Sequence, residues 1–342
     1  MRPKRTSVAT LAIATVALVG AVLAACGEKE EETSGGSTEQ FSLALDFYVN
    51  PDHAGIYAAL ERGYFEQAGL DVQPQVPSDP SAPIKQVAAG RADLAISYEP
   101  EVVLARDQGL PVVAVGALVP SPLTSLISLP EAKISDVADL RGKTVATAGI
   151  PYQTDFLETM LDEAGVPPDD VDQVDVGLNL LPAVLSGRAD AILGGFLNVE
   201  GVDLEERGKD PRVVPVDELG VPTYDELVLV ANEDTVNDDP ESIRLFIAAL
   251  ERGTRDAVED PAGATDAVLA AGDGLDPKLT EAEVDATLPL LLPDTGNHPY
   301  GYMDPEEWEA FAGFFADRGL IERRPTADEL LTNELLPGEI PD

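Results

Sequence analysis

Gln86–Tyr98 reads QVAAGRADLAISY, and Ala183–Phe196 reads AVLSGRADAILGGF. In each stretch a helical pattern ends at Gly-Arg-Ala-Asp and an apolar run short enough for a strand follows. One α/β unit used twice predicts two lobes. Working outward, Phe41–Phe47 reads as a strand, Ala54–Gly63 as a helix, and Val72 opens a short strand after the helix stop Gly69. Ala82–Ala89 is a helix, Asp93–Tyr98 a strand, Glu99–Gln108 a helix and Val112–Val119 a strand. The order then recurs. A short helix at Ile134–Leu140 precedes the strand Lys143–Thr147, the helix Gln153–Ala164 and the strand Val171–Val176. The helix Leu180–Ser186, the strand Asp190–Gly194 and the helix Leu197–Arg207 follow. Strands alternating with helices predict an α/β fold with mixed sheets covered on both faces.

Glu226–Asn232 (ELVLVAN) is one more apolar strand. The helices predicted after it, Pro240–Val258, Pro261–Ala271, Thr280–Leu292 and Asp304–Arg318, have no strands of their own to cover. They are expected to return to the first lobe. This gives a discontinuous lobe of residues 41–128 plus 224–342 and an inserted lobe of residues 129–223, with crossings near Leu129 and Thr223. The polar, Pro-rich tail beyond Arg323 is expected to be loosely held.

Sixty-three acidic against 22 basic residues give the 342-residue chain a formal charge of −41. That balance excludes nucleic acid as a partner, because phosphate binding needs clustered Lys and Arg. It also opposes an anionic ligand. The single cysteine, Cys26, excludes a disulfide within the chain and any zinc site built from several thiolates. Arg2, Lys4 and Arg5 precede an uncharged apolar stretch from Val8 to Ala25, and Leu23-Ala24-Ala25-Cys26 has the form of a lipobox. Residues 1–25 are therefore expected to be a lipoprotein signal, with Cys26 the lipid-bearing first residue of an exported chain. Residues 26–40 carry no large apolar side chain before Phe41 and are expected to form a flexible tether to the outer face of the cell membrane.

Enzyme motifs are sparse. Gly-x-Ser-x-Gly is absent. Gly142-Lys143-Thr144 resembles the end of a phosphate loop, but Val137 stands where its first glycine belongs, and a strand follows rather than a helix. Gly272 and Gly274 lack a third glycine at Pro277. His53 and His298 stand far apart with no ligand spacing, so neither a metal nor a cofactor is expected. Aromatic residues make up only 5 % of the chain, yet Phe47, Tyr48, Tyr98, Tyr152, Phe196 and Tyr224 fall at predicted strand ends, where α/β sheets bind ligands. Beside them lie Asn50, His53, Glu99 and Glu200. Aromatic faces stack on flat rings, and Asn or Glu reads ring nitrogens and amino groups. A planar, amine-bearing, neutral or cationic heterocycle fits that set. The structural alternatives are an edge-packing role for each Tyr, a dipole role for Glu99, a turn role for Asn50 and a capping role for His53.

The chain resembles the NMT1/THI5-like family of extracytoplasmic solute-binding proteins from about Leu43 to Ala231. The matching stretches include Leu45-Asp46-Phe47 through His53, GYFEQAGLDV at Gly63–Val72, SYEPEVVLAR at Ser97–Arg106 and VGALVPSPLTSL at Val115–Leu126. VGLNLLPA at Val176–Ala183, GGFLNVE at Gly194–Glu200 and GVPTYDELVLVA at Gly220–Ala231 follow. The resemblance implies a type II periplasmic-binding-protein fold with hinged lobes. It also implies a ligand of the thiamin-precursor pyrimidine type (formylaminopyrimidine or its hydroxymethyl relative), or alternatively riboflavin or another heterocycle. The implied partners are an ABC permease and a separate ATPase, with the chain itself a monomer; a sensor lipoprotein without a transporter is the other reading. Phe47 stands where many members have Trp, and Val199 where pyrimidine-binding members tend to have His. The family's eukaryotic pyrimidine synthases carry Lys and His where Ser97 and Glu101 stand, and a cysteine-rich run where residues 221–226 hold none. Their chemistry is therefore not expected here.

Overall fold

The computed structural model describes residues 38–293 and 296–338. Cys26, the expected signal segment and most of the expected tether lie outside the described residues. Glu39 and Gln40, expected in the tether, instead begin a strand and pair with Leu70 and Asp71.

Two five-stranded sheets organise the chain. The first receives β1 (Glu39–Ala44), β2 (Leu70–Gln75), β3 (Leu94–Ser97) and β4 (Val112–Val119). The second receives β5 (Thr124–Ser128), β6 (Thr144–Thr147), β7 (Asp172–Asp175), β8 (Ala191–Phe196) and β9 (Arg212–Pro215). The chain then returns to the first sheet with β10 (Leu227–Asn232). In space the orders are β2-β1-β3-β10-β4 and β7-β6-β8-β5-β9. In both sheets the first three strands are parallel, and the fourth runs antiparallel to its neighbours. Strands β4 and β10 are buried along their whole length, as their unbroken apolar sequences require.

The repeated tetrapeptide does the same work in each lobe. Gly90 and Gly187 take left-handed backbone (φ 63° and 70°) that only glycine adopts freely. The aspartate three residues on then ties its strand to a parallel neighbour, β1 in the first lobe and β6 in the second. Asp93 accepts from Ser42 N at 2.7 Å, and Asp190 accepts from Thr144 N at 3.0 Å.

One boundary differs from expectation. Thr124–Ser128 was assigned by sequence to the first lobe, but β5 pairs with β8 and β9 in the second sheet. The first crossing therefore falls at residues 120–123. Pro120 and Pro122 stand there, and neither has an N–H to continue a ladder.

Helices α1 (Ala54–Glu61), α2 (Tyr64–Gln67), α3 (Pro83–Ala88) and α4 (Glu99–Asp107) cover the first sheet; α5 (Pro151–Glu163), α6 (Leu180–Leu185) and α7 (Glu200–Glu206) belong to the second lobe. After β10 come α8 (Glu233–Asp238), α9 (Pro240–Glu259), α10 (Pro261–Ala271), α11 (Pro277–Leu291), α12 (Pro305–Asp317) and α13 (Ala327–Leu330). Helices α9 to α12 all begin at Asp-Pro. The aspartate side chain caps a backbone N–H of the first turn, and proline sits where no donor is needed. This signal starts α11 at Pro277 rather than at the expected Thr280. Helix α9 packs along α1, α10 also meets α1, and α12 meets α4. Helix α11 also reaches α7 of the second lobe.

As far as residue 338, the segment beyond Arg323 is not loose. Leu330, Leu331 and Leu335 are buried, and Leu331 bridges Ala114 on the outer edge of β4. No helix among the described residues is long and apolar enough to cross a membrane.

Candidate functional site

The carboxyl ends of β1, β3, β6 and β8 converge between the lobes, where open α/β sheets place their ligands. There they enclose about 380 Å³ of empty space, its mouth included. The first lobe contributes Asp46, Phe47, Tyr48 and Asn50 from the turn after β1, and Tyr98 from the turn after β3. The second contributes Ala148, Ile150, Tyr152 and Gln153 around the start of α5. Gly194, Phe196, Val199 and Glu200 complete the wall. Helix α7 starts at Glu200 rather than at the expected Leu197, which leaves residues 197–199 as a loop at the mouth.

Tyr98 and Tyr152 face one another across the lobes with ring centroids 5.5 Å apart and planes at 54°. Tyr98 donates its hydroxyl to Asp46 Oδ2 at 3.0 Å. The other oxygen, Asp46 Oδ1, lies 2.9 Å from His53 Nε2. His53 Nδ1 accepts the Asn50 N–H at 3.3 Å, so Nε2 carries the ring proton and donates to Asp46. The carboxylate of Asp46 is thereby held by two donors at the floor of the cavity. Asn50 caps the following turn: Oδ1 accepts from Asp52 N at 2.8 Å, and Nδ2 donates to Tyr48 O at 3.1 Å. One Nδ2 hydrogen is left over.

On the opposite wall, Glu200 Oε2 accepts the Phe196 N–H at 2.8 Å. Tyr48 approaches Oε1 at 3.5 Å across the lobes. Burial pushes the Glu200 carboxyl up to about 7, against the pull of that backbone N–H. Burial likewise holds the Tyr48, Tyr98 and Tyr152 hydroxyls above their ordinary range, so they act as neutral donors. The lining contains two carboxylates and no Lys or Arg. Gln153 is fixed in place by Ala148 N, which donates to its Oε1 at 2.8 Å. Its amide lies against Gly194, whose φ of 103° and missing Cβ leave room for it.

Of the nine residues expected at the site, Phe47, Asn50, Tyr98, Tyr152, Phe196 and Glu200 line this cavity. Three do not. His53 is turned inward and supports Asp46 from behind. Glu99, the first residue of α4, bends back so that Oε2 accepts Asp225 N at 2.7 Å. Tyr224 donates to Glu226 at 2.9 Å and packs on Phe156 and Phe311 in the core near the second crossing. Asp46 and Gln153 line the wall without having been singled out, and Tyr48 and Val199, both noted in the sequence, join them there. Asp46 lies in the same segment after the first strand; Gln153 had no signal except Gly194, whose missing Cβ makes space for it. Among the described residues no group of three or more His, Cys, Asp or Glu is placed to hold a metal ion.

A model of the family described as NMT1/THI5 like matches residues 50–264. The formylaminopyrimidine-binding protein of Halalkalibacterium halodurans is 36 % identical over 313 residues, covering 91 % of this chain and 94 % of that protein. The 4-amino-5-hydroxymethyl-2-methylpyrimidine phosphate synthase of Uromyces fabae is 29 % identical over 242 residues, 66 % of this chain and 69 % of the synthase. Among solved structures, the alkanesulfonate-binding protein SsuA from Xanthomonas axonopodis pv. citri superposes with a TM-score of 0.68 at 17 % identity, covering 86 % of this chain and 98 % of that one. A Candida albicans gene product with the generic periplasmic binding protein fold superposes with a TM-score of 0.62 at 14 % identity, over 88 % and 98 % of the chains. These likenesses and the two-sheet topology identify the two-lobe periplasmic-binding-protein fold expected from sequence.

Proposed function

The chain belongs to the NMT1/THI5-like family, and from that premise we propose that it is the solute-binding protein of an ABC importer. Its ligand is a planar aminopyrimidine of the thiamin-precursor type, held between the lobes and released unchanged. The carrying observation is the pairing, in one cavity, of the Tyr98 and Tyr152 rings with the buried Glu200 carboxyl. An aminopyrimidine presents a ring nitrogen beside an exocyclic amino group. Glu200 Oε1, whose one hydrogen-bond partner among the described residues is Tyr48 at 3.5 Å, is the acceptor for that amino group. The spare Nδ2 hydrogen of Asn50 supplies a donor, while Phe47, Tyr98, Tyr152 and Phe196 cover the ring faces.

The relative from Halalkalibacterium halodurans binds formylaminopyrimidine by name, and its match extends over nearly the whole of both chains. A sulfonate is disfavoured, because no cation lines the cavity to meet it. Turnover is disfavoured too: Ser97 and Glu101, which the family resemblance sets against the Lys and His of the synthases, are buried and hydrogen-bonded to each other at 2.6 Å. Export, a lipid anchor at Cys26, and a permease with its separate ATPase complete the proposal. Calorimetry with formylaminopyrimidine, followed by mass spectrometry of the recovered ligand, tests it. Tight binding with intact ligand is expected; a modified ligand, or no heat of binding, would remove the reading.

A further inference from the structure

The lobes also meet behind the cavity. Asp52, in the turn after β1, and Asn198, in the loop between β8 and α7, are both buried. Asn198 Nδ2 donates to Asp52 Oδ1 and to Thr287 Oγ1 on α11, each at 2.8 Å. Both amide hydrogens are thereby used. Two oxygens of this clasp have no hydrogen-bond partner among the described residues: Asp52 Oδ2 and Asn198 Oδ1. An ionised carboxylate cannot join them, because both atoms are acceptors. A carboxylic acid can. Its C=O accepts from the amide N–H while its O–H donates to the amide C=O, and the two orphans are the atoms such a proton would link.

The surroundings favour that proton. Burial, then the negative groups Asp46 after β1, Glu200 on α7 and Glu226 at the second crossing, push the Asp52 carboxyl up to about 8, although the Asn198 hydrogen bond pulls it down. Glu283 on α11 also faces it, and its own carboxyl is pushed up to about 8 by burial and by Asp203, Glu200 and Asp52. His53, next in sequence, is engaged with Asp46. Arg207 on α7 pairs with Asp203, and among the described residues no Lys or Arg forms an ion pair with Asp52.

We propose that Asp52 takes up a proton as the lobes close, and that this proton joins Asp52 Oδ2 to Asn198 Oδ1, so that ligand capture is proton-coupled. The proton comes from solvent; one O–H bond forms, and nothing is oxidised or reduced. The ligand arm of the idea rests on the binding-protein reading, whereas the clasp does not. With the lobes apart Asp52 meets water and titrates near the usual carboxylate value of about 4. Above that value and below about 8, closing binds a proton, so affinity falls as pH rises. The fall approaches tenfold per pH unit and flattens outside the window.

The test uses the full chain, with formylaminopyrimidine as probe and calorimetry in buffers of different ionisation enthalpy. Asp52→Asn should lower proton uptake on binding by about one and flatten the pH dependence accordingly. Unchanged uptake overturns the proposal. A second arm needs no ligand: the melting temperature of the parent should drop relative to Asp52→Asn as pH rises, and parallel curves overturn the clasp. Diverging curves without probe binding would uphold the clasp and sink the pyrimidine reading. Should Asp52→Asn not fold, Asn198→Asp sets two carboxyls face to face and should steepen the fall of melting temperature with pH; an unaltered pH profile overturns the proposal.

Discussion

The backbone N–H of Thr124 donates to Oε2 of Glu226 at 2.6 Å, fastening the end of the first crossing to the end of the second. Leu123 N donates to the same oxygen at 2.6 Å, Tyr224 adds its hydroxyl at 2.9 Å, and Oε1 takes the Thr124 hydroxyl at 2.9 Å. One wholly buried carboxyl therefore fixes both peptide segments about which the lobes would hinge. Glu226→Ala strands two backbone donors away from water. A loss of about 3 kcal/mol is expected in urea unfolding. A change below experimental error would show that the crossings are held by packing alone.

Glu200→Gln keeps the shape of the side chain and an oxygen for the Phe196 N–H, but removes the charge opposite the ligand amine. Affinity for formylaminopyrimidine should fall about 10- to 100-fold, the range for losing a charge-assisted hydrogen bond. Titration calorimetry reads it directly. Equal affinity would place the ligand elsewhere in the cavity.

Gly194→Ala tests how the wall is built. Its φ of 103° strains any other residue, and a Cβ there would overlap the Gln153 amide. A stability loss of about 2 kcal/mol is expected from the backbone alone. Displacement of Gln153 should weaken binding as well. A variant that melts like the parent and binds like it would show that this loop relaxes freely.

Stability should decline as pH rises through neutrality. Burial is the leading cause that holds the carboxyls of Glu101, Glu200, Asp225 and Glu226 at about 7. Unfolded, these groups titrate near 4. Between those values the folded chain holds more protons than the unfolded one, so unfolding becomes easier with every step toward alkaline pH. Melting temperatures measured from pH 5 to pH 8 at fixed salt should fall monotonically; a maximum at pH 8 would contradict the burial of these groups.

The periodic features of the fold were open to reading from the chain. The doubled Gly-Arg-Ala-Asp, the eight-residue strand Val112–Val119 and the Asp-Pro helix starts each state a local rule that burial then obeys. Strand β5 was hidden because TSLIS follows a proline pair and carries three hydroxyl residues, so its membership in a sheet is decided by β8 and β9 rather than by its own composition. At the site, strand ends located the aromatic wall, since side-chain type and position both point there. Orientation was not legible. Glu99 and Glu200 each begin a helix after a strand, yet one turns to the backbone of Asp225 and the other to the cavity. Only the packing of the second crossing against α4 separates them.

Strand β4 has one sheet neighbour, β10, and its far edge is met by Leu331, by Thr332 N donating to Ala114 O at 2.8 Å, and by Gly301 O accepting from Ala117 N at 2.8 Å. The partners that β10, Gly301, Leu331 and Thr332 give this apolar strand are thus all made by the ribosome only after the whole second lobe. A nascent chain halted between the lobes would expose both rims of VVAVGALV to any other unpaired strand in reach. The hazard of self-association therefore belongs to the half-made protein, and β10 with Gly301, Leu331 and Thr332 removes it.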